Sequence, residues 1–243
     1  MSEAFLWGLL AASSLLLGGV VAIRIRVGSR VLGLVLAFGA GVLISAVAYE
    51  LVDEAFTTTG SGVGIPLGLT AGALAFFAGD ALIDRLGGGD RKRMGGEQEA
   101  GSPLAIVLGI VLDGIPESAV VGLTLVQGGS VSAAMIVAVF LSNLPEAVAA
   151  TTGLAAAGWR QRAILLLWTG VVLVSALAAL AGYGIFGDAS GRTVAFVLSF
   201  AAGAILTMLA DTMMPEAFER GGSLAGLATT LGFGVAFAVS ALE

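Results

Sequence analysis

Runs of apolar residues long enough to cross a bilayer, about 20 residues for a core of about 30 Å, fill nearly all of this 243-residue chain. Reading for them gives eight: 4–23, 31–56, 63–84, 103–126, 130–157, 161–185, 192–219 and 223–242. The connections are short and rich in Gly and Ser, as turns are. One is longer, the polar and flexible loop RLGGGDRKRMGGEQEAGS over 85–102. Charged residues are 12% of the chain and hydrophobic ones 58%, at a mean hydropathy of +1.03. A soluble domain carries about 25% charge, so a soluble single-core fold is excluded. The 37 glycines suit helices that meet backbone to backbone in lipid. The expected fold class is all-α, a polytopic membrane protein of eight transmembrane helices forming one domain over 1–243.

The chain has no cysteine and no histidine. Disulfides, thiolate metal sites, imidazole ligands and Ser-His-Asp triads are therefore excluded. Chemistry is left to carboxylates, amides, hydroxyls, Met thioethers and backbone. No cofactor and no nucleic-acid partner are expected. All eleven Lys and Arg lie between or at the ends of the spans. The odd-numbered connections hold Arg24, Arg26, Arg30, Arg85, Arg91, Lys92, Arg93, Arg160, Arg162 and Arg220; the even ones hold Arg192. This bias places both termini outside the cytoplasm. The first span has no basic region ahead of it, only Glu3, and reads as a retained helix rather than a cleaved signal. A compact chain of this kind fits a bacterial inner membrane.

Two segments match at an offset of 162 residues. FGAGVLISAVAYELVDEAF starts at Phe38 and FAAGAILTMLADTMMPEAF at Phe200, with seven of 19 positions identical, including the closing Glu-Ala-Phe. Under the expected topology the first runs outward and the second inward. Related helices of opposite direction mark inverted-repeat transporters, whose site lies between the halves. Spans 1–3 and 6–8 would be the halves, with spans 4 and 5 between them.

Those middle spans carry the most polar motifs, DGIPES over 113–118 and SNLPEA over 142–147. A carboxylate at mid-span costs at least about 2.5–3.5 kcal/mol, and two at matched depth call for a cation. Asp113 and Glu117 are four apart and share a helix face, as do Ser142 and Glu146. Each proline removes a backbone donor, which frees the carbonyls of Leu112 and Leu141. Carbonyls beside carboxylates make an oxygen cage, tolerated in lipid only around a cavity. The candidate metal ligands are Asp113, Glu117, Glu146, Asn143 and Ser142. Glu50, Asp80 and Asp211 are candidate pathway residues, while Glu54 near the outer surface is expected to be solvated. Met208, Met213 and Met214 read as packing. Trp7, Trp159 and Trp168, two of them close to span ends, read as interface anchors.

On these motifs the chain resembles the ZIP (Zrt/Irt-like) family of divalent metal transporters, over its whole length. Members carry His-Asn-x-Pro-Glu-Gly in the fourth span and His-x-x-Pro-Glu in the fifth. Here DGIPES keeps Pro116 and Glu117, with Asp113, Gly114 and Ser118 at the other positions; SNLPE keeps Pro145 and Glu146, with Ser142 at the histidine. The segment FAAGAILTMLADTMMPEA also resembles the family's seventh span. The resemblance implies metal ligation by the two glutamates. The family's sixth-span glutamate falls at Ser175 here, a further candidate pathway position, and the 85–102 loop lacks the family's histidines. One metal position then keeps Asp113, Glu117 and Glu146, to which Ser142 or Asn143 could add, and the second loses most of its ligands. A homodimer rests on the resemblance and on the Gly-rich surfaces.

An all-oxygen site suits Mg, Ca or Mn, and Fe(II) less well, while imidazole and thiolate favour Zn and Cu. Zinc also accepts carboxylates. The expected function is therefore transport of divalent cations of the Zn, Mn or Fe(II) class into the cytoplasm, and the chain is not expected to be an enzyme. An intramembrane aspartyl protease pairing Asp113 with Asp211 would leave both Pro-Glu motifs unexplained. A non-transporting scaffold or sensor on the same fold is the other alternative.

Overall fold

The computed structural model describes residues 2–25, 27–60, 62–85, 103–128 and 132–242. Within 103–128 the side chains of 103–108, 110, 113 and 126–128 lie outside the described set, as does the expected loop beyond residue 85. Among the described residues the regular structure is helical throughout: α1 (Ser2–Arg24), α2 (Ser29–Ala46), α3 (Glu54–Thr59), α4 (Gly64–Ile83), α5 (Pro103–Gly128), α6 (Ala133–Ala156), α7 (Gln161–Phe186), α8 (Gly191–Met208), α9 (Met214–Gly221) and α10 (Ala225–Ser240). Six described stretches are long and apolar enough to cross a membrane: Ser2–Arg24, Ser29–Thr59, Gly64–Ile83, Ala133–Ala156, Gln161–Phe186 and Gly191–Ser240. This is an integral membrane protein. The last stretch, 50 residues, would reach about 75 Å as one helix. It is broken at Gly222, where φ is 65°, a left-handed value that glycine adopts without steric cost.

Two π-helical segments, Val47–Asp53 and Leu209–Met213, interrupt the helices expected over 31–56 and 192–219. They follow the 162-residue offset, and so do their surroundings. Helices α2 and α8 start at Ser29 and Gly191, and the π segments at Val47 and Leu209. The short helices end at Thr59 and Gly221, each followed by a left-handed glycine, Gly60 at φ 68° and Gly222 at φ 65°. Pro215 explains the second π segment. It has no N–H, and its ring clashes with the carbonyl four residues back, which loosens the preceding turn. The first copy forms a π segment too, seven residues long against five, with Asp53 at that position.

Glycines set how the helices pair. A Cβ on Gly41 would overlap the Thr229 carbonyl, and one on Gly232 the Phe38 carbonyl, so α2 and α10 touch along their backbones. Gly72 meets the Phe200 carbonyl and Gly203 that of Leu69, which joins α4 to α8 in the same way. Phe38 and Phe200 are the paired residues of the repeat, so each half packs its helix against one from the other half. The contacts of α1, α5, α6 and α7 form a separate group: Gly122 with Ala179, Gly182 with Ala119, Gly18 with Leu144 and Gly8 with Ala179. Gly8 lies beside Ala179 and Gly19 beside Trp168, so α1 and α7 run antiparallel. Large apolar side chains, among them Leu67, Leu74, Phe77, Leu166, Ile185, Leu227 and Leu231, cover the outside.

Trp168 is not an interface anchor. It is fully buried, and its Nε1–H donates to Thr151 Oγ1 at 2.7 Å. Gly19 makes room for the indole; a Cβ there would stand 2.6 Å from Cδ1. Only a residue without a side chain lets α1 close over an aromatic ring at that depth.

Gly72→Ala, Gly203→Ala and Gly232→Ala should each lose about 1–3 kcal/mol to overpacking. Gly170→Ala and Gly184→Ala, where nothing lies within 4 Å, should be neutral or gain up to about 1 kcal/mol of helix propensity. Thermal denaturation of the detergent-solubilised variants, followed by size-exclusion chromatography, checks this.

Candidate metal site

The two Pro-Glu motifs stand at the middles of α5 and α6, helices of 26 and 24 residues that run unbroken through Pro116 and Pro145. The flanking Leu, Val and Ala hold the helices in apolar surroundings while the motif supplies oxygen atoms. Ser132 caps α6, its Oγ accepting from the Met135 N–H at 3.1 Å. At the far end Thr151 anchors α6 to α7 through Trp168.

Glu117 is 1% exposed and lies among the largest fully buried side chains. Removing an ionised carboxylate from water without compensation is prohibitive, so such a group is paired, neutralised or bound to a cation. Glu146 is half-buried. Ser142 is buried, and its hydroxyl donates to the Val139 carbonyl at 3.1 Å, a bond within its own helix. Asn143 is 4% exposed, and among the described residues no hydrogen bond holds its amide. Ser118 donates to the Gly114 carbonyl at 2.7 Å, closing the turn that contains Pro116. Asp113 lies in α5, with its side chain outside the described set. Among the described residues no three of His, Cys, Asp and Glu cluster closely enough to hold a metal ion.

Ser175 stands next to this motif. It is 4% exposed on α7, and its Oγ lies 3.8 Å from where a Cβ of Gly114 would be. Gly114 of the first motif and Ser175 of α7 therefore lie side by side.

The other candidates stand on helix α4 and in the two π segments. Asp80 is buried near the end of α4, whose Gly79 packs on Leu112 of α5 with a would-be Cβ 3.2 Å from the side chain. Glu50, in the first π segment, accepts a hydrogen bond from Ser240 Oγ at 2.7 Å, which ties the segment to the end of α10. Tyr49 beside it tilts against Phe233 and Phe237, at centroid distances of 6.2 and 5.1 Å. Asp211 is exposed on the second π segment. Glu54 and Glu216 match in the repeat but are held differently. Glu54 accepts from the Thr58 hydroxyl at 3.4 Å, whereas Glu216 pairs with Arg220 at 3.0 Å.

Sequence reasoning did not find that Met213 ends beside Gly39 of α2. Its terminal methyl and the Cα of Ser142 each lie 3.2 Å from where a Cβ of Gly39 would be. The local signal was Pro215, which predicts a disturbed turn ahead of it and so a re-aimed Met213.

No family model matches the chain. An Arabidopsis thaliana protein named "Putative zinc transporter" is 26% identical to it over 224 residues. The match covers 90% of this chain and 35% of that protein, so the chain spans about a third of its relative's length.

The Trp168–Thr151 bond fixes α6 relative to α7 and so sets the position of the second motif. Trp168→Phe and Thr151→Val should each cost about 1–3 kcal/mol, since each leaves a buried polar partner unmatched. The double variant should cost clearly less than the two together, a coupling that a double-mutant thermal denaturation cycle measures.

Proposed function

We propose that this protein is a ZIP-like carrier that moves divalent metal cations across a membrane into the cytoplasm, through a carboxylate site between α5 and α6. The observation that supports it most is Glu117, a carboxylate buried at the middle of a long apolar helix beside a second helix with the same Pro-Glu pair. Similarity to a protein named as a zinc transporter points the same way. The proposed ligands are Glu117, Glu146 and Asp113, with Asn143 as a carbonyl donor. Ser142 stands at the edge, its hydroxyl already donating within α6. In this arrangement α5 and α10 make up the eight crossings, and both termini lie outside the cytoplasm.

The packing suggests how access alternates. Backbone contacts at glycine join α1, α5, α6 and α7 to one another, and others join α2 to α10 and α4 to α8. Between the first group and the flanking pairs, the glycine contacts are looser: a Cβ on Gly79 would stand 3.2 Å from the Leu112 side chain, and one on Gly39 would stand 3.2 and 3.4 Å from the Ser142 Cα and the Leu141 carbonyl. Contacts of this looser kind give way at lower cost than backbones packed at glycine, so the four-helix group bearing the motifs is the part that moves. Glu117 and Glu146 would travel with it and meet each side of the membrane in turn.

The ions best suited are of the Mn, Fe(II) and Zn class, taken up one at a time. Gly114 and Ser175 supply no carboxylate for a second position. Carboxylates bind metal only after losing their protons, so uptake should weaken as the pH falls.

Proteoliposomes holding the purified protein should take up Mn, Fe(II) or Zn saturably. Glu117→Gln and Glu146→Gln should each cut the rate by about 10–100-fold or more while leaving the protein folded. Unchanged uptake in both variants would falsify the site. No uptake of any metal by the folded wild-type protein would favour a scaffold or sensor.

A further inference from the structure

The two Pro-Glu motifs meet the flanking helices at matching places. On α6, a Cβ added to Gly39 of α2 would stand 3.2 Å from the Ser142 Cα and 3.4 Å from the Leu141 carbonyl oxygen. On α5, a Cβ added to Gly79 of α4 would stand 3.2 and 3.3 Å from the two Leu112 methyls. Leu141 is the fourth residue before Pro145, and Leu112 the fourth before Pro116. In both motifs a flank glycine therefore lies against the residue whose carbonyl the proline leaves without its helical donor.

Distance separates these two contacts from those inside the motif-bearing group. Gly18 of α1 closes on the next part of α6, where a Cβ would stand 2.5 Å from the Leu144 carbonyl and 2.9 Å from the Ala147 Cβ. A Cβ on Gly122 of α5 would stand 1.9 Å from the Ala179 carbonyl. Those glycines cannot take a methyl without parting two backbones. Gly39 and Gly79 can, if their neighbours give by a few tenths of an ångström. Glycine is thus not what lets the helices meet there; its missing side chain leaves clearance. No interhelical bond of Ser142 fastens the α2–α6 contact, because its hydroxyl donates to the Val139 carbonyl within α6. A proline also leaves the turn ahead of it more pliable, so the clearance falls beside the part of each motif helix that yields.

We propose that Gly39 and Gly79 are positioning residues of transport, two bearings on which the motif-bearing helices pass the flanking pairs. This rests on the carrier function above and names what sets its rate. A side chain at either position would meet the motif helix whenever the group crosses, adding to the barrier without changing the set of ligands.

Uptake by the full-length protein in proteoliposomes tests this, with Mn, Fe(II) and Zn each supplied alone. Metal affinity and thermal denaturation are measured on the same variants in detergent. Gly39→Ala and Gly79→Ala should each lower the maximal rate about tenfold, with affinity and melting temperature near the wild-type values. Adding Leu112→Val to Gly79→Ala withdraws the methyls that face the new one and should restore most of the lost rate. Gly170→Ala, where nothing lies within 4 Å, should keep the wild-type rate. Unchanged rates in both Gly39→Ala and Gly79→Ala overturn the proposal, and so does an equal loss in Gly170→Ala. A fall in affinity that matches the fall in rate also overturns it, since the glycines would then shape the site rather than its movement. Failure of Leu112→Val to restore any rate overturns it for Gly79. Each of these leaves the carrier standing; absence of saturable uptake of all three ions by the folded wild-type protein overturns the carrier itself.

Discussion

In an apolar solvent the hydrophobic effect gives two helices no reason to stay together, so this fold depends on backbone approach at glycine. Where Gly41 meets Thr229, Gly72 meets Phe200, Gly203 meets Leu69 and Gly122 meets Ala179, a single methyl group would overlap a carbonyl oxygen. Dispersion between closely packed backbones is what such contacts gain, and it decays steeply with separation. Their placement therefore decides which helices form rigid units.

The two Pro-Glu motifs sit on helices of one of these units, Gly114 of the first beside Ser175 of α7 and Ser142 of the second beside Gly39 of α2. Helix α1 binds α6 and α7 through Gly18, Gly8 and Gly19, and α5 binds α7 through Gly122 and Gly182. The buried Glu117 is consequently carried on a firmly supported helix, which holds a costly group at constant depth. Across the seam stand the flanking pairs with their two π-helical segments. Rigid support for the carboxylates and a compliant seam beside them are what an alternating-access site requires.

Much of this was legible in the sequence. The apolar runs predicted the helices, and the match from Phe38 to Phe56 with Phe200 to Phe218 pointed to a repeat whose helix starts, π-segment starts and short-helix ends follow the same offset. The burial of Glu117 fits its place at mid-run. Pairing partners were not legible, because 37 glycines spread over many helices do not say which helix each one faces. Nor was Trp168: a tryptophan seven residues into α7 looks like a boundary residue until Gly19 and Thr151 are seen around it. The π segments left a local trace only at Pro215, since a π turn differs from an α turn by one hydrogen-bond register and leaves the apolar pattern intact.

Relative movement of the motif-bearing group against the flanking pairs is the central claim, and the natural lack of cysteine makes it directly testable. A cysteine pair at Gly79 and Leu112 would link α4 to α5 across the seam; a pair at Thr58 and Gly191, where a Cβ on the glycine would stand 3.1 Å from the Thr58 methyl, would link α3 to α8 within the flank. Metal uptake into proteoliposomes should stop on oxidation of the first pair, recover on reduction, and be indifferent to oxidation of the second. Full uptake with the Gly79–Leu112 link quantitatively formed would contradict the account.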